Sequence, residues 1–541
     1  MKIIQPKRKL LLCVLLAFVS SCSFKQASVA SANIADDDKR PNIVFIMADD
    51  HALRALSAYG DSVVKTPNID RLANEGVLFR NAFVTNSICS PSRAVLLTGK
   101  YSHQNGLRDN RDEFDGGQQT FPKILQHAGY ETAVIGKWHL KSDPTGFDHW
   151  KILIGQGEYY SPQFRTRAGV TQYDGAYVTN KVTDLAIEFI EGRGSAKPFF
   201  LLYSHKAPHR NWMPWVGDLG GQFLEELDPP ESFDDGFERR TAAADADMKI
   251  RDMFLSWDMK LQPEEYTQEV GSGGGVGREH AREDAVQMWQ DAYGRMSQEQ
   301  KAEWDKYYRK KNAEYDNLKH DPDALGRWMF QRYVHDYAAT VYALDRNVGR
   351  LVDYLESNGL LENTIIVYTS DQGFYLGEHG WYDKRFMYEE SLRTPLIIRT
   401  PNTSGNKGEQ VEEMVQNLDF APTLLGFAGI DAPEDMPGLS LKSLVEGIRP
   451  ESWRDSIYYH YYEFPHGWHR VRPHYGIRTE RYKLIHFYGD LDHWELYDLL
   501  ADPSEFNNLY SDHDYSFIRA DLHRRLELLR IQNGETALSK G

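Results

Sequence analysis

Short runs of almost entirely apolar residues recur along the first 400 residues, and segments with helical spacing separate them. The runs cover residues 42–48, 132–136, 199–204, 363–370 and 395–398. Runs that are apolar at every position, instead of every second one, are typical of strands covered on both faces, as in a parallel sheet. Their alternation with helices up to about residue 430 predicts a doubly wound, mostly parallel α/β domain.

Residues 215–330 have a different pattern. They combine acidic runs with Trp and Tyr at helical spacings, and a glycine-rich break interrupts them at 271–275. We interpret this stretch as a helical insertion that overhangs the functional site and helps to select the ligand. A long amphipathic helix is expected to follow at 333–355.

The spacing of apolar residues changes again after residue 448. Short strands are predicted at 458–462, 475–479 and 482–487, and an amphipathic helix at 517–531. Residues 449–541 are therefore expected to form a smaller α+β domain with an antiparallel sheet, and residues 40–448 the main domain.

The N-terminal segment has the features of a sorting signal. Its cations are Lys2, Lys7, Arg8 and Lys9. They precede an apolar stretch at 10–19 that is too short to span a bilayer. The sequence that ends in Cys22 resembles a bacterial lipobox, so we predict a lipoprotein signal peptide at 1–22, lipidation of Cys22 and a polar tether at 23–39. Cleavage after Ala30 by an ordinary signal peptidase is the alternative.

A lipid on Cys22 would anchor the exported protein to a bacterial membrane, expected to be the outer membrane, on its periplasmic or outer face. The net charge of −17 argues against nonspecific binding of nucleic acid and against adhesion to anionic lipid surfaces. An anionic ligand would therefore need a local basic pocket. Of the three cysteines, Cys13 and Cys22 belong to the signal, which leaves the thiol of Cys89 to be explained.

Polar residues follow the predicted strands at their carboxyl ends, where α/β sheets bind ligands. Asp49 and Asp50 follow the first strand, and Asp371 and Gln372 follow the strand at 363–370. Adjacent carboxylates repel each other and usually need a cation beside them, although an isolated Asp-Asp pair can also be a solvated turn. Two potential cations, Lys137 and His139, follow the strand at 132–136, although such a stretch can also be an ordinary turn. The strand at 199–204 is followed by His205, Lys206 and His209.

Cys89 is predicted to lie just ahead of a helix. Ser90 is a suitable N-cap, Pro91 suits the first helical position, and Gly99 is a suitable stop. The helix dipole would lower the pKa of the thiol and favour an anion beside it. A Cys-phosphatase loop is excluded because Val95 stands where its arginine would be needed. A buried cysteine that caps the helix is the structural alternative.

The pattern Cys89-x-Pro91-x-Arg93, followed by Leu97-Thr98-Gly99-Lys100, resembles the signature of the formylglycine-dependent sulfatases. Five separated elements match this family in the expected order: Asp49-Asp50, the Cys89 motif, Lys137 with His139, His209, and Asp371-Gln372 with Lys384. The resemblance implies an alkaline-phosphatase-like α/β fold with a smaller C-terminal domain. It also implies that a formylglycine-generating maturation enzyme oxidises Cys89 to formylglycine (3-oxoalanine), whose hydrate is the nucleophile.

The resemblance further implies a bound Ca²⁺, with Mg²⁺ less suited. Its expected ligands are Asp49, Asp50, Asp371, Gln372 and the group derived from Cys89. Many relatives have Asn or His where this chain has Gln372.

The same resemblance assigns roles to the other site residues. Lys137 and Lys384 would neutralise charge on the sulfuryl oxygens, and His209 would donate a proton to the leaving oxygen. His139 would deprotonate the second hydroxyl of the hydrate, and Arg93 would hold the formylglycine and the metal environment in place.

The sequence of residues 370–381 and 383–385 most resembles the N-acetylglucosamine-6-sulfatase and mucin-desulfating branch of the family. Similar lipoproteins serve bacteria that degrade algal polysaccharides such as ulvan. We therefore expect a sulfatase that acts on a sulfated polysaccharide or its oligosaccharides. Further candidates for contact with the sugar are His379, Arg472 and His474, although the last two can also be solvated strand-end residues.

Two other functions are compatible with the sequence. The first is a formylglycine-dependent phosphonate or phosphodiester hydrolase, because relatives with the same motif catalyse that reaction. The second is a non-catalytic, surface glycan-binding lipoprotein. Such a protein is expected to have lost charged members of the site, and this chain keeps all of them.

Overall fold

The computed structural model describes residues 40–60, 62–194, 197–221, 226–266, 281–401 and 406–535. The predicted signal peptide, Cys22, the tether and the glycine-rich break at 271–275 lie outside the described residues. Among the helices that the structure describes, none is both long and apolar enough to cross a membrane.

The strands of the described residues are β1 (Asn42–Ala48), β2 (Val77–Phe79), β3 (Ala82–Phe83), β4 (Glu131–Gly136), β5 (His149–Leu153), β6 (Gln163–Thr166), β7 (Gly169–Gln172), β8 (Phe199–Ser204), β9 (Thr364–Ser370), β10 (Leu396–Arg399), β11 (Glu409–Val411), β12 (Val415–Gln416), β13 (Ser456–Tyr461), β14 (His474–Thr479), β15 (Tyr482–Phe487) and β16 (His493–Asp498).

The helices are α1 (Pro67–Glu75), α2 (Cys89–Thr98), α3 (Ser102–Asn105), α4 (Phe121–His127), α5 (Val178–Gly192), α6 (Thr241–Ala244), α7 (Ala281–Gly294), α8 (Gln298–Asn312), α9 (Tyr315–Leu318), α10 (Pro322–Ser357), α11 (Glu389–Leu392), α12 (Phe420–Phe427), α13 (Lys442–Val445) and α14 (Ser516–Gln532).

Within the described ranges, the large sheet has ten strands in the order β11-β2-β10-β9-β1-β8-β4-β5-β6-β7. The central strands β9, β1, β8, β4 and β5 are mutually parallel, whereas β10 runs antiparallel to β9. The predicted doubly wound, mostly parallel α/β fold is confirmed. The antiparallel meander of β5, β6 and β7 at one edge of the sheet was not predicted from the sequence.

Both faces of the central strands β1, β8 and β9 are buried, which explains why apolar residues occupy both faces of these strands. Along β1, Val44 and Ile46 face a layer that includes α1, α5 and α10, whereas Phe45 and Met47 face a layer that includes α2, α4 and α12. The parallel strands also end together, because Ala48 pairs with Ser370. Residues that follow these strands therefore meet at one edge of the sheet.

The C-terminal sheet is antiparallel and has the order β13-β14-β15-β16 in the described part of the chain. Helix α14 packs on it through the buried side chains of Leu522 and Leu526. The predicted α+β architecture is therefore confirmed, although β16 was not predicted as a strand. The described residues belong to one compact unit, so the domain boundary at 448/449 stays a prediction.

The insertion at 215–330 is helical in part, as predicted, and contains α6 to α9 within its described residues. The long helix that follows begins at Pro322, eleven residues earlier than the amphipathic pattern indicated, with the Asp321 side chain accepting hydrogen bonds from the N–H groups of Asp323 and Ala324. Its first half, which includes Tyr333, packs against Phe233, Ile250 and Leu255 of the insertion in a buried cluster that also contains Trp212.

Candidate active site

Three carboxylates from two adjacent strand ends form the centre of the site. Asp49 and Asp50 follow β1, and Asp371 follows β9. One carboxylate oxygen from each lies within 4.8 Å of the others, and all three residues are at most 2% exposed. Sheet register explains this convergence, because β1 and β9 run parallel and end opposite each other.

Arg93 and two lysines neutralise this buried negative charge. Lys137 hydrogen-bonds Asp49, and Lys384 Nζ lies 2.8 Å from Oδ2 of Asp50. The pairs are stronger than surface ion pairs because little water screens them.

The guanidinium of Arg93 connects three strand ends. It donates two hydrogen bonds to Oδ2 of Asp371, at 3.1 and 2.9 Å. Its Nη1 donates to Oγ of Ser204, the last residue of β8, at 2.9 Å, and to the carbonyl of Lys137 at 3.1 Å. Such a planar, multidentate donor cannot be replaced by a lysine without loss of hydrogen bonds.

The three carboxylates have different pKa values. Burial raises the pKa of Asp50 to about 6, with Lys384 opposing the shift. Burial and repulsion by Asp49 raise the pKa of Asp371 to about 7. Burial also acts on Asp49, but Lys137 and the other cations outweigh it and hold that pKa well below its usual range.

The donor set fits a hard divalent cation. Oδ1 of Asp49 and Oε1 of Gln372 are buried and have no hydrogen-bond partner among the described residues. Carboxylate and amide oxygens are the ligands that Ca²⁺ prefers. A cation would satisfy both atoms and reduce the repulsion between the carboxylates.

Cys89 lies beside this cluster at the beginning of α2. Its Sγ is 3.7 Å from Nε2 of Gln372, and the residue is 1% exposed. The prediction of a lowered thiol pKa was wrong: burial raises the pKa to about 12, and Lys384 and Lys137 offset this only in part. Every residue of α2 is buried, so desolvation outweighs the helix dipole.

The cap of α2 also differs from the prediction. The helix begins at Cys89 itself, with Ile88 at the N-cap and no side-chain cap, whereas Ser90 was expected to cap it. Oγ of Ser90 instead donates to the carbonyl of His139 at 2.7 Å. Gly99 ends the helix in the left-handed conformation, as predicted.

Two histidines border the cluster. Nε2 of His209 is 3.6 Å from Oδ2 of Asp50, while its Nδ1 donates to the carbonyl of Arg210 at 2.8 Å. Nδ1 of His139 is 3.3 Å from Oγ of Ser90. Burial, followed by the charge of Lys137, lowers the pKa of both imidazoles well below the usual range. Both rings are therefore neutral in this arrangement.

Two family models match this chain. The model described as Sulfatase matches residues 41–430, and the model described as N-sulphoglucosamine sulphohydrolase, C-terminal, matches residues 377–532. The chain belongs to the sulfatase family and is a sulfuric ester hydrolase. The strand-end residues predicted from the sequence are thus the ones that converge in a sulfatase fold.

Several known proteins are similar to this sulfatase. An N-acetylglucosamine-6-O-sulfatase of Bacteroides thetaiotaomicron is 48% identical over 521 residues, which cover 94% of this chain and 90% of that protein. The structure of BT4656 in complex with its substrate D-glucosamine-2-N,6-O-disulfate matches with a TM-score of 0.86 and 47% identity, covering 92% of this chain and 99% of that one. An ulvan-active sulfatase of Formosa agariphila is 26% identical, covering 96% of this chain and 86% of that protein.

The structure does not bring His379 into the cluster of this sulfatase. The residue is 1% exposed, and its Nδ1 lies 2.6 Å from a carboxylate oxygen of Asp235 in the insertion. Its backbone N–H donates to Oγ of Ser232. These contacts attach the insertion to the loop after β9, so they give His379 a structural role.

His474 and Arg472 also have protein partners away from the cluster. Nε2 of His474 accepts a hydrogen bond from the backbone N–H of Met387 at 3.1 Å, and the residue is fully buried. Arg472 forms ion pairs with Asp245 and Asp490, each at 3.0 Å. Sequence alone could not show these partners, since all but Asp490 are more than 80 residues away.

Two charged residues beside Lys384 were not assigned from the sequence. Asp383 and Arg385 have φ of 75° and 101°, a backbone conformation that residues other than glycine rarely adopt. Oδ2 of Asp383 lies 3.0 Å from Nε2 of His469, and Nη1 of Arg385 lies 2.5 Å from a carboxylate oxygen of Glu463. The run Asp383-Lys384-Arg385 places three charged residues next to predicted buried elements, and this was the sequence signal that could have indicated roles for Asp383 and Arg385.

Proposed function

We propose that this sulfatase hydrolyses 6-O-sulfate esters of glucosamine-type sugars, either N-acetylated or N-sulfated, in a sulfated polysaccharide or its oligosaccharides. The observation that carries the choice of sugar is the 48% identity, over nearly the whole chain, to an N-acetylglucosamine-6-O-sulfatase. The likeness to a structure that holds a 6-O-sulfated glucosamine supports it. A sulfated carbohydrate is therefore the proposed partner of the site.

We infer that Cys89 is converted to formylglycine by a maturation enzyme. A buried thiol with a pKa of about 12 is protonated at neutral pH and is a poor nucleophile. Oxidation to the aldehyde removes the sulfur and, as the hydrate, supplies the hydroxyl that attacks the sulfate ester. The position of Cys89, at a helix start beside cations, would then face the anionic ester.

Asp49, Asp50, Asp371 and Gln372 would hold Ca²⁺, because all of them present oxygens, and two of those oxygens have no hydrogen-bond partner in the part of the chain that the structure describes. When bound, the cation would polarise a sulfate oxygen and acidify the attacking hydroxyl. Arg93 keeps Asp371 oriented through its two hydrogen bonds.

The chain's own side chains account for the remaining charge and proton movements. Lys137 and Lys384 would bind the sulfuryl oxygens, whose charge increases as the ester bond breaks. His209 holds its Nδ1 proton at the Arg210 carbonyl, which leaves Nε2 directed at the cluster. A bound anionic ester raises the pKa of this ring, so Nε2 can carry the proton for the leaving oxygen. His139, neutral before substrate binds, can accept the proton of the second hydroxyl of the formylglycine hydrate.

The test is sulfate release from N-acetylglucosamine-6-sulfate by protein produced together with a formylglycine-generating enzyme. We expect a kcat/KM at least about tenfold higher than for the 3-sulfate isomer, because a site built around one hydroxyl position rejects misplaced esters. Cys89→Ser, which keeps the size of the side chain, is the control and should release none. Mass spectrometry of the Cys89 peptide establishes whether the aldehyde is present.

A phosphate diester supplied in parallel distinguishes the main alternative. A diester hydrolysed faster than every sulfate ester would overturn the assignment to sulfated sugars.

We also propose that the protein is exported and held at the outer membrane through a lipid on Cys22. Release of a Cys22→Ala variant from the membrane fraction would support this anchor, and retention would contradict it.

A further inference from the structure

Trp468 lies in the segment between β13 and β14 of the C-terminal sheet. The chain has twelve tryptophans, all within the described ranges. Trp468, at 36% exposure, is the most exposed of them. Single exposed apolar residues are common on protein surfaces, so its surroundings must decide whether this one has a role.

Two contacts of the segment that carries Trp468 connect it to loops that hold site residues. The guanidinium carbon of Arg210 lies 5.7 Å from the centroid of the Trp468 ring, and Arg210 follows the active-site residue His209. The next residue in the chain, His469, lies 3.0 Å from Asp383, the residue before Lys384. The segment that carries Trp468 therefore contacts both the loop of His209 and the loop of Lys384.

Arg210 fixes the position of this ring. Its Nε and Nη2 donate to the two carboxylate oxygens of Asp258 in the insertion, at 2.7 and 2.6 Å. The same guanidinium lies 5.0 Å from the ring of Tyr382. A guanidinium held by a buried carboxylate and placed over an indole is a stable cation–π arrangement. Three parts of the chain, the His209 loop, the insertion and the C-terminal domain, thus meet at Arg210.

We propose that Trp468 is the residue against which the pyranose ring of the sulfated sugar packs, and that Arg210 positions its indole for this contact. The inference rests on the proposed function, since it concerns the sugar of that substrate. With the sulfate group bound at Lys137 and Lys384, the ring of a 6-sulfated sugar must extend from the cluster towards the mouth of the site. A rigid indole there offers a large apolar surface for the C–H face of the ring.

The experiment compares Trp468→Ala with the wild-type enzyme on N-acetylglucosamine-6-sulfate, and measures kcat, KM and the inhibition constant of inorganic sulfate. Loss of one aromatic contact should raise KM about tenfold and leave kcat nearly unchanged, because the contact binds ground and transition states alike. Inhibition by inorganic sulfate, which has no ring, should not change. Trp468→Phe should recover most of the loss.

Phe517→Ala is the matched control, because it removes an aromatic ring that is 89% exposed on α14. An equal KM for Trp468→Ala and Phe517→Ala would overturn the proposal. So would a parallel weakening of sulfate and sugar binding, which would indicate a general distortion of the site. If the wild-type enzyme prefers another sulfated sugar, the proposed function fails, yet the same comparison on that sugar still decides the role of Trp468.

Discussion

At the scale of single residues, Arg93 and Lys137 have the same charge but different partners. Arg93 is 2% exposed and donates to Asp371, Ser204 and the Lys137 carbonyl. Lys137 neutralises Asp49 with one ammonium group. Arg93 therefore holds the geometry of the site through several hydrogen bonds. The ammonium group of Lys137 has a single carboxylate partner, which suits a group that binds and releases an oxyanion during turnover.

Replacing Arg93 by Ala should destabilise the protein strongly. Asp371 would remain buried without its ion-pair partner, and breaking a buried pair in this way costs about 3–5 kcal/mol. We expect a clear fall in Tm of the chelator-treated protein. The control is Arg524→Ala, whose pair with Asp521 is exposed at 64% and 48% and whose loss should cost less than about 1 kcal/mol. Equal Tm values for the two variants would show that the Arg93–Asp371 pair contributes little.

At the scale of elements, the close packing of β4 against β8 positions Lys137. Gly136 ends β4 with φ of +107°, and a Cβ added there would lie 1.8 Å from the backbone oxygen of Ser204. Backbone cannot move aside as a flexible side chain can. Glycine at this position is therefore required for the strand end that presents Lys137 to Asp49.

Gly136→Ala should consequently reduce the free energy of unfolding by about 3 kcal/mol or more, because it combines a backbone clash with an unfavourable φ. Gly192→Ala is the control, since a Cβ at the end of α5 meets nothing within 4 Å. Urea unfolding followed by tryptophan fluorescence measures both. A Gly136→Ala protein as stable as Gly192→Ala would contradict the packing described for these two strands.

The contact between the C-terminal sheet and the main domain contains a buried acid that responds to pH. Oε2 of Glu495 in β16 accepts hydrogen bonds from the hydroxyl groups of Tyr388 and Tyr497, both at 2.8 Å. Burial raises the pKa of Glu495 from 4.5 to about 7. The folded protein therefore favours the protonated form, and this stabilising contribution is lost as pH rises from 4.5 to about 7.

Glu495→Gln should remove this pH dependence, because glutamine keeps the acceptor and cannot ionise. We expect wild type and variant to have similar free energies of unfolding at pH 5, and the variant to be more stable at pH 8, by up to about 3 kcal/mol. Glu527→Gln, at an exposed position on α14, is the control. If the difference in the free energy of unfolding between wild type and Glu495→Gln is the same at pH 5 and pH 8, the shifted pKa of Glu495 is contradicted.

At the scale of the whole molecule, the protein carries a net charge of −17 and yet builds a site for an anion. It does so by placing Arg93, Lys137 and Lys384 within the buried cluster, where the low dielectric strengthens their effect. The same cluster holds three carboxylates, and the proposed divalent cation would offset their charge and make the site attractive to a sulfate ester.

Removal of the metal should therefore affect stability as well as activity. We expect EGTA to lower Tm and Ca²⁺ to restore it, since an ion at 100 times its Kd adds about 2.7 kcal/mol to the free energy of unfolding. Mg²⁺ should restore less, because it favours rigid octahedral coordination with several waters. Differential scanning calorimetry measures the shift. A Tm that is insensitive to both EGTA and Ca²⁺ would contradict a cation site at Asp49, Asp50 and Asp371.

The sequence alone determined the α/β architecture and the meeting of Asp49, Asp371 and Lys137 at strand ends, because apolar periodicity is a local property and parallel strands bring their carboxyl ends to one edge. The expected place of His209 followed from the resemblance to the sulfatases. Only the tertiary structure decided the rest. The pKa of Cys89 depends on burial by every surrounding element, and this outweighed the local effect of its helix. The partners of His379 and His474 lie far away in the chain, so their structural roles follow from packing that no local pattern records.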